Sequence, residues 1–400
     1  MDTSRKAIVI GGGPAGLVAA SRLADGGVAT TLLEASSGLG GRAASEWRDG
    51  IFLNQGPHAL YVGGPAMREL RALGVELEWW NPVSPSSVFP RDGKPRRSPG
   101  GTLELMRLLG PVLRRDPAEL AGLSTTEWLG QTLRSERARA AAAALVRVTT
   151  FVADQDALSA DVAATQLRIG LWPGVRYLEG GWQSLVDALA TRAESAGATV
   201  RTRAAVRRLQ PEAGGWTATL DGETLHAGVL VVAVGDSETT AKLLGEKSPA
   251  APGPAAEVST LDLALRRLPR RGRRFALGID QPTYLSRHSP PDQRAGALLL
   301  SLASYAREPR QALEALADTV QPGWRQEVAF ERFLPRMVPV SAIATAATGG
   351  LAGRPAVDRG EGLYLAGDWI GPDGWLVDAA IASGAAAAAA ALRGPVPAPA

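Results

Sequence analysis

An α/β fold is predicted, in which a parallel sheet is interleaved with a second, α+β unit. Three observations predict it. Residues 7–33 read strand, glycine-rich turn, helix, strand; residues 176–236 read helix, strand, hairpin and buried strand; residues 362–393 read strand, turn and helix. Strands alternating with helical patterns imply crossover connections and a parallel sheet.

The first stretch opens with the apolar run 7–10, followed at once by Gly11-Gly12-Gly13-Pro14-Ala15-Gly16. Leu17, Ala20, Leu23 and Ala24 then recur with helical spacing, and a second apolar run, 29–33, ends at Glu34 and Ala35. A Gly-x-Gly-x-x-Gly turn between strand and helix admits close approach of a pyrophosphate, whose charge meets the helix N-terminus. Glu34 stands where a carboxylate accepts hydrogen bonds from a ribose. Alone, this unit does not separate NAD from FAD. A second loop, Ser37-Gly38-Leu39-Gly40-Gly41-Arg42, adds bare backbone and a cation for another anionic part of one ligand.

The middle stretch has Leu178-Glu179-Gly180-Gly181-Trp182 ahead of a helix whose Leu185, Val186 and Leu189 share a face, stopped by Gly197. Strands are expected at 198–203 and 205–209, then a hairpin turning at Asp221-Gly222, then the buried strand 230–234. In the last stretch the strand of 362–368 runs into Gly367-Asp368, and a helix spans 376–393.

These motifs resemble the superfamily of flavin-containing amine oxidases, protoporphyrinogen oxidases and phytoene desaturases. The resemblance covers about residues 5–62, 176–236 and 360–392. It implies a Rossmann-like FAD-binding domain interleaved with an α+β substrate domain. On that pattern the FAD domain comprises 1–62, 176–236 and 359–394, the substrate domain 63–175 (helical) and 237–358, with 395–400 as a tail. The implied cofactor contacts are Gly11, Gly13, Pro14, Ala15, Gly16, Glu34, Ala35, Gly40, Gly41, Arg42, Gly56, Pro57, His58, Ala59, Val206, Gly367, Asp368, Leu376, Val377 and Ala380. Asp368 would hold a ribitol hydroxyl or phosphate, or else cap the following helix. The Val377 amide would face the flavin ring, where a helix N-terminus favours negative charge.

Composition sets the remaining bounds. Four hundred residues exceed one ordinary core, so two domains are expected. Lys+Arg 43 against Asp+Glu 40 leaves a net charge of only +3, which is no argument for nucleic acid. The cluster Arg270-Arg271-Gly272-Arg273-Arg274 lacks interleaved aromatics and reads as a solvated turn, with contact to an anionic membrane surface as the alternative. Without cysteine there is no disulfide, no thiolate metal site and no cysteinyl flavin link, so a cytoplasmic protein with non-covalent FAD and no metal is expected.

The substrate domain is less explicit. Five prolines in 81–100 surround a short hairpin, Val88-Phe89 against the segment after Lys94. Residues 102–169 are helical, with Leu103, Met106 and Leu109 on one face, an interruption at Pro111 and a capping box at Ser124 to Glu127. A linker at 247–256 precedes strands at 258–265 and 297–303. Tyr61, Trp172, Tyr177, Trp369 and Trp375 are candidate substrate-pocket aromatics, each with a plain core position as the alternative.

Reaction chemistry is left mostly to the cofactor. His58, in Asn54-Gln55-Gly56-Pro57-His58-Ala59, is the candidate proton relay, or a residue that positions this loop. Flavin amine oxidases carry a substrate-domain lysine near the flavin, but only Lys6, Lys94, Lys242 and Lys247 occur here. The aromatic-cage position near the last helix falls on Leu376. Both departures favour hydride removal from an apolar or conjugated substrate, with oxygen or a quinone as acceptor. A flavin amine oxidase with another base, and a non-catalytic binder like the GDP-dissociation inhibitors, remain alternatives.

Overall fold

The computed structural model describes residues 6–82, 86–290 and 296–394. Residues 395–400, expected as a tail, lie outside them. Five parallel strands lie in the order Leu363–Leu365, Val229–Val232, Lys6–Ile10, Ala29–Leu33, Thr199–Arg201. The sheet is covered on both sides because successive side chains point to opposite faces. Ala7 and Val9 enter one core with Leu17, Leu23, Leu189 and Ile381, whereas Ile8 and Ile10 enter the other with Trp216, Leu230 and Leu363.

Helix Pro14–Asp25 lies against both Gln183–Ser195 and the C-terminal helix Val377–Arg393. The alanine-rich composition of the last helix is explained by this contact. A Cβ on Gly384 would stand 2.2 Å from the Ala15 carbonyl oxygen, so only small residues allow the two helices so close.

The expected hairpin forms within a three-stranded antiparallel sheet, with Leu220 opposite Glu223 across the Asp221-Gly222 turn. Residues 205–207 are not strand, and the ladder begins at Arg208. The amides of Arg203 and Ala204 donate instead to the carbonyls of Ser36 and Glu34, which draws this segment toward the end of the second strand.

A separate five-stranded antiparallel sheet takes the order Phe275–Leu277, Thr283–Arg287, Leu298–Ser304, Ala256–Leu265, Val328–Val340. Leu261, Leu263 and Leu265 face Leu313, Leu316 and Val320 of helix Arg310–Val320. On the opposite face Asp262 is buried against Arg332, 2.6 Å away, and Ser301. Four helices, Thr102–Arg114, Thr125–Thr132, Glu136–Thr150 and Ala160–Leu171, fill the 102–171 region. The capping box is present: the Ser124 hydroxyl accepts from the Glu127 amide, and the Glu127 carboxylate from the Ser124 amide.

Two expectations for the first of these helices are corrected. Leu103 and Met106 are exposed, whereas Leu105, Leu108 and Val112 are buried. Gly101 decides the phase, because it sits so close to Ala138 that a Cβ would approach its Cα to 2.6 Å. Pro111 does not end the helix, which runs on to Arg114 with the proline ring exposed. The short hairpin of 88–96 forms as expected around Asp92-Gly93: Arg91 and Lys94 exchange backbone hydrogen bonds, and the Phe89 amide donates to the Arg96 carbonyl at 2.8 Å, while Val88 also bridges to Ala276. No helix among the described residues is long and apolar enough to cross a membrane.

Candidate active site

One cavity of about 640 Å³ lies against the carboxyl ends of the parallel strands and continues to the antiparallel sheet. Its first wall is the glycine turn. Gly11 has φ +108°, and a Cβ there would lie 2.5 Å from the Ala233 carbonyl oxygen, so only glycine allows the turn. A Cβ on Gly13 would meet nothing nearer than 3.8 Å, and its open side faces the cavity. Helix Pro14–Asp25 starts there without a side-chain cap, leaving its N-terminal partial charge open to a ligand. The Gly40 amide donates to the Gly12 carbonyl at 2.8 Å and docks the second loop on the first. Glu34 ties both together: its Oε2 accepts from the Gly12 amide at 2.7 Å, and its Oε1 from the Ser36 amide and hydroxyl at 2.8 and 2.7 Å.

Asp368 is almost wholly buried and has four donors. Arg42 reaches Oδ2 at 3.0 Å and Oδ1 at 2.7 Å, and Ser341 donates its amide to Oδ2 and its hydroxyl to Oδ1, both at 2.8 Å. Burial opposes ionisation, but the Arg42 guanidinium, helped by Ser341, outweighs it and holds the carboxyl below its ordinary range. Arg42 also donates to the Gly235 carbonyl at 3.0 Å.

At the other end of the cavity the C-terminal helix presents Leu376, Val377 and Ala380. Leu376 has φ +55° and ψ −131°, a conformation that costs a non-glycine residue about 1–3 kcal/mol. Thus the chain is forced to turn so that the uncapped N-terminus of this helix points into the cavity. In the loop 54–59, the His58 Nδ1 donates to the Gly56 carbonyl at 3.0 Å, and the imidazole lies 4.8 Å from the Trp182 ring. Burial lowers the His58 pKa, so the ring is neutral at pH 7.

Beyond His58 the walls become aromatic and aliphatic: Tyr61, Leu145, Val148, Phe151, Leu167, Leu171, Tyr177, Phe275, Tyr284 and Met337. Their hydroxyls are turned to one another. Tyr177 lies 2.9 Å from both Tyr284 and Ser286, and Tyr284 lies 2.6 Å from Ser286, closing a ring of three. The Tyr61 hydroxyl donates to the Thr149 carbonyl. Burial raises the pKa of all three tyrosines, so they too stay neutral. His288 stacks on Tyr177 at 4.2 Å, and burial brings it down to about 3.

Of the sequence-derived cofactor residues, all line the cavity except Gly16 and Gly56. A Cβ on Gly16 would stand 2.0 Å from the Gly11 carbonyl oxygen, and one on Gly56 2.8 Å from the Met337 sulfur, so both act through close packing. Tyr61 and Tyr177 line the chamber as expected, but three tryptophans do not. Trp172 is 78% exposed; Trp369 is buried behind the parallel sheet; Trp375 is buried among the helices and donates to the Thr150 carbonyl. Sequence reasoning missed Ser341, Phe151, Phe275, Tyr284 and Met337, which carry no local motif. Gln55, which also lines the cavity, lay within a loop already singled out.

A model of the family "flavin containing amine oxidoreductase" matches residues 14–258. The chain belongs to that family. A Mycobacterium tuberculosis protein assigned as a flavin-containing monoamine oxidase is 27% identical over 266 residues, covering 57% of this chain and 56% of the relative, so the chain spans about half the length of the curated relative it matches. The phytoene desaturase of Cercospora nicotianae is 39% identical over 79 residues, 19% of this chain and 13% of that protein. In fold, cyclohexylamine oxidase from Brevibacterium oxydans superposes with a TM-score of 0.73 at 17% identity, covering 97% of this chain and 98% of the other.

The family cofactor, FAD, fits the residues present. The bare Gly13 cradle and two uncapped helix N-termini facing one cavity supply donors, and a carboxylate at the end of the second strand an acceptor, suited to a pyrophosphate-linked dinucleotide.

Proposed function

We propose that the chain is an FAD-dependent oxidoreductase that removes hydride from an apolar or conjugated, uncharged substrate. One observation carries this reading: among the described residues, the only acidic or basic side chains lining the cavity besides His58 are Glu34, Arg42 and Asp368, all at the phosphate end. The chamber offers no anion to an ammonium and no cation to a carboxylate. An ion brought there unpaired would lose its hydration without compensation, whereas apolar surface gains about 25 cal/mol per Å² buried.

In this reading the glycine loops and the N-terminus of helix Pro14–Asp25 hold the pyrophosphate non-covalently, Glu34 and Val206 flank the adenosine, and the N-terminus at Val377 meets the flavin. When bound, FAD supplies the acceptor for the hydride pair of electrons. Tyr61, Tyr177, Phe151 and Phe275 exclude water and orient the substrate. His58 positions the loop 54–59 through the Gly56 carbonyl rather than relaying a proton. Oxygen or a quinone would accept the electrons.

The amine alternative is supported by the names of relatives. Against it, none of the four lysines lines the cavity among the described residues, and Leu376, not an aromatic residue, occupies the wall beside the last helix. Anaerobic stopped-flow reduction tests the two. Bleaching by a polyene or porphyrinogen is expected, with amines slow; fast bleaching by a simple amine alone would reverse the assignment.

A further inference from the structure

Asp378 is wholly buried just inside the N-terminus of the C-terminal helix, and no role described so far uses it. Its Oδ1 accepts from the Ala66 amide at 2.8 Å, in the first turn of helix Pro65–Ala72, while Oδ2 has no partner. Glycines make room for the carboxyl. A Cβ on Gly64 would lie 2.2 Å from Oδ1, and one on Gly374 would lie 2.8 Å from the Asp378 Cβ. The group is therefore wedged where two helices begin, directly behind Leu376 and Val377 in the cavity wall.

Few charges reach it. Arg68 faces it from helix Pro65–Ala72 and Tyr61 from the adjoining strand. Arg354 approaches the same loop but donates to the Gly374 carbonyl. Helix Pro14–Asp25 carries its charges, Arg22 and Asp25, at its far end, paired with Glu69 and Arg192.

Resting on the flavin reading, we propose that Asp378 is a positioning residue whose proton sets the potential of this helix N-terminus at the cavity. Protonated, it leaves the terminal partial positive charge free to stabilise negative charge gained by the bound cofactor; ionised, it cancels that charge. A hydride brings two electrons and one proton, adding one negative charge to the site, and a solvent proton taken up by the carboxylate balances it. Burial raises the Asp378 carboxyl to about 7, against the smaller opposing effects of the Ala66 amide and Arg68, so both states are accessible near neutrality.

The test is the midpoint potential of FAD-loaded wild type and Asp378→Asn from pH 5.5 to 8.5, by equilibrium reduction against dyes. Asparagine mimics the neutral acid. Above about pH 7.5 the variant should be the more readily reduced, by tenfold or more in the reduced-to-oxidised ratio, which is about 30 mV for two electrons. Below about pH 6 the two should coincide. A difference constant across pH, or none, would overturn the proposal and leave Asp378 a structural residue. Asp378→Ser serves as the neutral variant if the asparagine form does not fold. If wild type itself binds no FAD, the flavin reading fails, and the proposal with it.

Discussion

Arg42 and Asp368, 326 positions apart in the chain, form a two-pronged ion pair with contacts of 3.0 and 2.7 Å. The pair joins the second glycine loop to the strand end that precedes the C-terminal helix, and Ser341 completes it from the residue just past strand Val328–Val340. Both carboxylate oxygens are thus engaged by protein donors. Asp368 shapes the cavity wall through Arg42.

The first prediction follows. Asp368→Ala leaves Arg42 and two Ser341 donors without their acceptor; Arg42 is about a third exposed and can recover hydration, so the cost should be that of unsatisfied buried donors, about 1–3 kcal/mol. The apo protein should therefore lose stability as well as FAD affinity. Chemical denaturation with and without FAD measures both. An unchanged apo midpoint would restore a role confined to the cofactor.

Gly13 and Gly16 should separate binding from folding. Gly13 has an ordinary φ of −81° and open space at its Cβ, so Gly13→Ala should leave apo stability nearly unchanged and weaken FAD binding at least tenfold. Gly16→Ala would force a methyl against the Gly11 carbonyl and should cost the apo fold about 1–3 kcal/mol. Thermal melts beside flavin titrations distinguish the two.

Glu34→Ala removes the acceptor for the Gly12 and Ser36 amides. FAD binding should weaken by about 1.5–3 kcal/mol, the range for hydrogen bonds to a charged group. Isothermal titration reads it directly, and wild-type affinity in the variant would remove Glu34 from the site.

Asp378 also predicts a pH dependence of the apo fold. An acid whose folded pKa is about 7, against an ordinary value near 3.8, binds its proton more tightly when folded. That contribution is fully present at low pH and is lost as pH rises from about 4 to about 7. Asp378→Asn should remove this fall, so the ratio of variant to wild-type stability should grow with pH across the window. Urea unfolding at pH 5 and pH 8 suffices.

What the sequence disclosed depended on how local the signal was. Both glycine loops, Glu34 and the 362–393 strand and helix were legible because a turn, a charge and a period of 3.6 are written in consecutive residues. Phe275, Tyr284 and Met337 were not, since they come from antiparallel strands whose inward residues look like any core residue until register is known. The tryptophans illustrate the same limit. Trp369 and Trp375 neighbour the last helix in sequence, but the first is buried behind the parallel sheet and the second among the helices, both away from the cavity. Leu103 and Met106 were misplaced because Gly101, which fixes the helix phase through Ala138, has no visible partner in one dimension.

The central strand of the parallel sheet is the first to be synthesised, and its edge strand Leu363–Leu365 the last. A nascent chain therefore carries Gly11 to Gly16 through the synthesis of residues 17–366 with no opposite wall, since Gly367, Asp368 and Val377 are still to come. Until then Arg42 lacks its carboxylate and the first sheet lacks an edge. Cofactor capture must be a late step in biogenesis, and the long interval exposes an unfinished apolar sheet to chaperones and to other chains.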